Sequence, residues 1–145
     1  MSEESSVCPL KVGGVFRCVM PVRWGDMDAV GHVNNTLYFK YVEEARAQCF
    51  EAEQVYFPHG RVPLLAHASF DFLKSVVYPA TVAVLMTVTR IGRSSLTFDV
   101  TIEVEGEPGV PYAKGKNVVV VADRESGQSS PWTAAELEHL ARFFV

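Results

Sequence analysis

Asn34-Asn35-Thr36-Leu37-Tyr38-Phe39-Lys40-Tyr41-Val42-Glu43-Glu44-Ala45-Arg46-Ala47-Gln48-Cys49-Phe50-Glu51-Ala52 carries a single apolar stripe. Tyr38, Tyr41, Val42, Ala45, Cys49 and Ala52 recur at helical spacing, while Lys40, Glu43, Glu44, Arg46 and Glu51 fall off the stripe. The spacing predicts a helix over residues 36–53, about 27 Å long. Asn34 or Asn35 can cap its start by accepting from an orphan backbone N–H. No other long segment shows this period, and its surroundings read as strands. Upstream, Phe16, Cys18, Met20, Val22 and Trp24 alternate with their neighbours as in a half-buried strand, and Pro21 assigns that strand to a sheet edge. Downstream, residues 67–77 are β-rich, and 81–91 follow a Tyr-Pro-Ala corner. Leu96, Phe98, Val100, Ile102 and Val104 alternate with polar partners. Residues 92–95 and 106–110 suit hairpin connections. Four consecutive valines within 116–122 predict a strand buried on both faces. Thr133-Ala-Ala-Glu136 is a capping-box pattern opening a short helix within 133–144. The sum is an α+β fold: one long helix wrapped by a curved antiparallel sheet of about five strands, the four after the helix in meander.

At 145 residues the chain fits one domain spanning 1–145, with 1–12 and 124–132 expected to be loose. A chain of this size buries about 68–70% of its unfolded surface and needs neither metal nor disulfide staples. With 13 Lys and Arg against 17 Asp and Glu the net charge is -4, which argues against nucleic acid as the main partner. No run approaches the length of a spanning apolar helix, so membrane insertion is not expected. The opening Met-Ser-Glu-Glu-Ser-Ser lacks the charged and apolar regions of a secretory signal. Cys8, Cys18 and Cys49 are an odd set without Cys-x-x-Cys spacing, as for reduced thiols. A cytoplasmic location follows as the expectation.

The densest polar cluster, Arg23-Trp-Gly-Asp-Met-Asp-Ala-Val-Gly-His-Val-Asn-Asn35, lies between the first strand and the helix start. A helix's first turn offers unpaired amides and the positive end of its dipole, which favour an oxyanion or a polarised carbonyl. A carboxylate held beside that point can attack the carbonyl or deprotonate a water. The plainer alternative makes Asp26 and Asp28 turn residues, Asn34 and Asn35 caps, and His32 a loop histidine bonded to backbone.

Residues 22–46, from Val22-Arg-Trp-Gly-Asp-Met-Asp through Gly-His-Val-Asn-Asn-Thr-Leu-Tyr to Glu-Glu-Ala-Arg46, resemble the signature of the 4-hydroxybenzoyl-CoA thioesterase type of hotdog acyl-CoA thioesterases. The element order matches the hotdog fold as well, so the resemblance covers about residues 16–122. It implies an acyl-CoA substrate hydrolysed to free acid and CoA, with no cofactor besides the CoA of the substrate. Asp28 is then the catalytic carboxylate, nucleophile or general base, and Asp26 a support residue bonded to backbone amides or Arg23. The backbone amide of Asn35 polarises the thioester carbonyl. Gly31 is there either because a Cβ would obstruct the loop or because the backbone needs φ > 0. His32 can position water or the acyl group, and Asn34 is a ligand group or a cap. Arg93 and Ser94, in the 92–95 hairpin, are the candidate CoA contacts, with Lys74 and Arg90 behind them. The resemblance also implies protomers paired through sheet edges as a homodimer or homotetramer.

Other chemistries fit less well. Asp26, Asp28 and His32 lack a second nearby histidine for a metal site. There is no Gly-x-Ser-x-Gly elbow, P-loop or Gly-x-Gly-x-x-Gly, and Cys49 sits on the apolar stripe, where thiols are inert. An enoyl-CoA hydratase or dehydratase and a non-catalytic acyl-CoA binding module remain as alternatives. Tyr38, Tyr41, Phe70 and Phe72 read as core, with an aromatic acyl pocket as the other possibility.

Overall fold

The computed structural model describes residues 8–51 and 60–145. Five strands form one antiparallel sheet: β1 (Val15–Pro21), β2 (Arg61–Phe72), β3 (Thr81–Ile91), β4 (Ser95–Val104) and β5 (Ala113–Asp123). Their order in space is β1-β3-β4-β5-β2. β3, β4 and β5 form the expected meander. β2 departs from it, crossing to pair with β5 at the far edge rather than with β3. β1 holds the other edge, as Pro21 required, but it ends there. Trp24 belongs instead to a 3₁₀ turn, Trp24–Asp26, and is 76% exposed. β2 begins six residues before the expected 67 and stops at Phe72. Pro63 hides it in the sequence and is accommodated because only one side of an edge strand is hydrogen-bonded.

The long helix α1 (Asn35–Arg46) carries its stripe as expected, with Tyr38, Tyr41, Val42 and Ala45 buried. From Ala47 to Glu51 the backbone widens to a π turn. Consecutive Cys49 and Phe50 are both buried there, at 0% and 2% exposure. Phe50 meets Phe98 edge to face at 6.1 Å. Ala52 and the expected helix end at 53 lie outside the described residues. Beneath α1, alternate residues of the strands supply the core: Val82, Val84, Met86 and Val88 from β3, Leu96, Phe98, Val100 and Ile102 from β4. On β5, Val119 and Val121 are buried but Val118 and Val120 only half so. The four valines therefore alternate like their neighbours, and the outer sheet face stays partly open.

The segments expected to be loose are anchored where they are described. Leu10 is 1% exposed, and Gly13 N–H donates to the Val88 carbonyl. Residues 124–132 fold back along β5 through Asp123 N–H to Gln128 O and Ser130 N–H to Val121 O, with Trp132 N–H reaching Arg93 O. They lead into α2 (Ala134–Ala141), whose capping box is formed as read: Thr133 Oγ1 accepts from Glu136 N–H at 3.1 Å and Glu136 Oε1 from Thr133 N–H at 3.0 Å.

Candidate active site

The cluster between β1 and α1 folds as a small hairpin laid against one end of the sheet. Asn34 N–H donates to Asp26 O, Met27 bridges to Val33, and Asp28 N–H donates to His32 O at 2.7 Å. Val33 N–H reaches Val76 O, and Val22 N–H reaches Ala80 O, which fixes the hairpin to the segment before β3.

Each aspartate has a distinct job. Asp26 Oδ2 accepts from Arg23 N–H at 3.0 Å and from the Tyr41 hydroxyl at 2.7 Å, so the support role holds for the loop, but through the backbone of Arg23 and not its guanidinium. Asp28 is exposed, and only its Oδ1 is engaged, accepting from Val30 N–H at 3.0 Å and His32 N–H at 3.2 Å. These amides orient the carboxylate, and among the described residues Oδ2 accepts from no donor. The side chain lines an open cavity of about 390 Å³, together with Trp24, Met27, Ala29, Gly31 and Tyr78.

Gly31 adopts φ +80°, and an added Cβ would meet nothing within 4 Å. Of its two readings the backbone requirement is the one realised, since nothing crowds the position. His32 closes the loop with its backbone N–H and C=O while the residue itself is exposed, so the loop joins Asp28 and His32 through backbone hydrogen bonds. Asn34 is the cap: its Oδ1 accepts from Thr36 N–H at 2.9 Å and from Thr36 Oγ1 at 2.8 Å. Asn35 opens the helix. Thr36 and Leu37 donate to Asn34, whereas the Asn35 amide donates to no group among the described residues.

Arg93 and Ser94 stand elsewhere. They occupy the β3–β4 turn, where Arg93 O accepts from Trp132 N–H and Ser94 O from Val121 N–H. That turn lies at the far end of β3, whose 11 residues put it on the order of 30 Å from the Asp28 end. One chain does not bring these residues to Asp28. Arg90 shares that far end. Lys74 is at the near end, 3.9 Å from Glu107 and 4.7 Å above the Tyr112 ring. Of the aromatic residues, Tyr38 and Tyr41 are buried while Phe72 is 41% exposed, and Tyr38, Phe70 and Phe72 form an edge-to-face cluster. The residue that sequence reasoning missed is Tyr78, whose place on the cavity wall depends on the crossover before β3. Among the described residues no group of three His, Cys, Asp or Glu could hold a metal ion, and no helix is long and apolar enough to cross a membrane.

The profile of the thioesterase-like superfamily matches residues 22–142, most of the chain and all of this hairpin. The chain belongs to that superfamily. A relative in Bacillus subtilis, the uncharacterized protein YsmA, is 31% identical over 121 residues, covering 82% of this chain and 80% of its own. Among solved structures, the PA2801 protein of Pseudomonas aeruginosa, provisionally named a thioesterase, is 38% identical with a TM-score of 0.74, covering 80% of this chain and 90% of that one. A protein of Xanthomonas campestris provisionally named an acyl-CoA thioesterase is 34% identical with a TM-score of 0.71, covering 83% and 99%. Membership of the thioesterase-like superfamily makes the chain an enzyme of the thioesterase class. The five antiparallel strands around one helix give it the hotdog-like arrangement of these neighbours.

Proposed function

We propose that the protein is an acyl-CoA thioesterase of the 4-hydroxybenzoyl-CoA thioesterase type, and that Asp28 carries the reaction. The observation behind this is the carboxylate held by one oxygen: Oδ1 is fixed by two loop amides, and among the described residues Oδ2, beside an open cavity, accepts from no donor. In hydrolysis Oδ2 either attacks the thioester carbon, expelling the CoA thiolate and leaving an acyl-enzyme anhydride that water cleaves, or takes a proton from the water that attacks directly. Both routes need the same carboxylate in the same place. The Asn35 amide at the positive end of α1, which donates to no group among the described residues, is the donor for the developing oxyanion. Asp28 pairs with His32, three residues before Asn35, so one short hairpin carries both the carboxylate and the opening of the helix. The products are free acid and CoA, and the reading requires no metal or further cofactor.

In this reading the working unit is at least a homodimer, formed through the β2 edge. Along β2 and just past it, Leu64, Leu65, Phe72 and Leu73 are 41–54% exposed. An edge of 12 residues with apolar flanks invites pairing. Arg93 and Ser94, too far from their own Asp28, would then serve CoA bound at the site of another copy. Free Cys8, Cys18 and Cys49 suit the reducing cytoplasm.

Thiol release measured across short, long and aromatic acyl-CoAs tests the proposal, with release above background expected for at least one class. Faster hydration of an enoyl-CoA than thiol release would make the enzyme a hydratase, and tight acyl-CoA binding with no release would make it a binding module.

A further inference from the structure

Two buried tyrosines one turn apart on α1 send their hydroxyls to the two segments that wall the Asp28 cavity. Tyr41 O–H donates to Asp26 Oδ2 at 2.7 Å, and Asp26 in turn accepts Arg23 N–H on that oxygen and Asn34 N–H on its carbonyl. Tyr38 O–H reaches Lys74 O at 3.5 Å and its oxygen accepts from Val76 N–H at 3.2 Å. Tyr78, two residues beyond Val76, lines the cavity opposite the hairpin. The two rings stack 6.4 Å apart, so one rigid aromatic pair is tied to both walls. Apolar packing does not call for these hydroxyls. A phenylalanine would fill the same core volume, and a buried O–H is costly unless bonded.

We propose that Tyr38 and Tyr41 are positioning residues for thioester hydrolysis, holding the Asp28 hairpin and the Lys74–Tyr78 wall at a fixed separation from a common helix. This rests on the reading of Asp28 given above. Burial, and for Tyr41 the neighbouring Asp26 carboxylate, raise both phenols above their ordinary values. They therefore remain protonated donors at neutral and mildly alkaline pH. The bonds act on geometry at the reacting centre and not on substrate affinity, so their loss falls on kcat.

The test compares full-length Tyr41→Phe, Tyr38→Phe, Asp26→Ala and Tyr41→Phe/Asp26→Ala, with Asp28→Asn as reference, and normalises activity to folded protein. Each phenylalanine variant is expected to lose about tenfold in kcat with KM changed less than twofold. The Tyr41→Phe/Asp26→Ala pair is expected to lose no more than Asp26→Ala alone, because Asp26→Ala already removes the Tyr41 bond along with that from Arg23 N–H. Unchanged kcat per folded molecule in both phenylalanine variants, or multiplicative losses in the pair, overturns the inference. Should Tyr41→Phe fail to fold, Tyr38→Phe, which leaves the Asp26 bonds in place, is read alone by the same criterion. Failure of the underlying reading looks different: Asp28→Asn would then turn over like the parent enzyme.

Discussion

A carboxylate held by amides through one oxygen is both an ordinary Asx turn and a positioned catalytic group, and at Asp28 the two descriptions coincide. The same loop geometry that makes the turn readable as structure also aims the free oxygen. Gly31 is the residue on which that geometry depends, since φ +80° is strained for any side chain even though a Cβ would touch nothing. Gly31→Ala is accordingly expected to cost about 1–2 kcal/mol. It should also lower kcat by loosening the Val30 and His32 amides from Asp28, with Gly31→Asn milder on both counts. Thermal melts and initial rates check this, and a Gly31→Ala protein with parental values in both would show that the loop tolerates another conformation. A turn at Asp28 and a cap at Asn34 or Asn35 were legible because turns and caps have strong residue preferences, whereas a catalytic role for Asp28 rested on the family resemblance. The sequence left the partner of Asp26 open because Tyr41 lies fifteen residues away and half of its signal is an ordinary core aromatic.

Elements that carry their own period were legible, and those defined by tertiary contact were not. The α1 stripe, the β4 alternation and the Thr133–Glu136 capping box each follow from spacing within one segment. The π turn at Ala47–Glu51 and the crossing of β2 to the far edge depend on what the segment meets, Phe98 in one case and β5 in the other. Arg61 shows how far such contacts reach. Its guanidinium forks onto Glu136 at 2.7 and 2.8 Å and also bonds Ser130 Oγ and Pro131 O, so the start of β2 is clamped to the start of α2. The Glu136 side chain is 1% exposed and that of Arg61 18%, so removing Arg61 leaves the Glu136 carboxylate as a buried charge. Arg61→Ala is expected to destabilise by about 3–5 kcal/mol, while replacing both residues with methionine should restore most of the loss. Denaturant melts of the single and double variants measure this. An Arg61→Ala variant as stable as the parent would show that water reaches the pair.

At the scale of the whole molecule, partnership between chains turns on the β2 edge. The β1 edge is short, ends at Pro21 and carries the Arg17–Glu105 ion pair. The β2 edge is longer and flanked by exposed leucines. Sedimentation is expected to give at least twice the 16.0 kDa chain mass, and Leu64→Lys/Leu65→Lys should shift it to the single-chain value with loss of thiol release. A parent protein that sediments as one chain yet turns over fully would place every working residue in one protomer and remove Arg93 and Ser94 from the site.

The account stands most directly on the Asp28 carboxylate, and the decisive measurement is kcat for acyl-CoA hydrolysis in Asp28→Asn, which keeps the Oδ1 acceptor for the loop amides while removing the charge. With folding and melting temperature matched to the parent, kcat is expected to fall by roughly 10²–10⁴. Parental turnover in that variant would contradict the account.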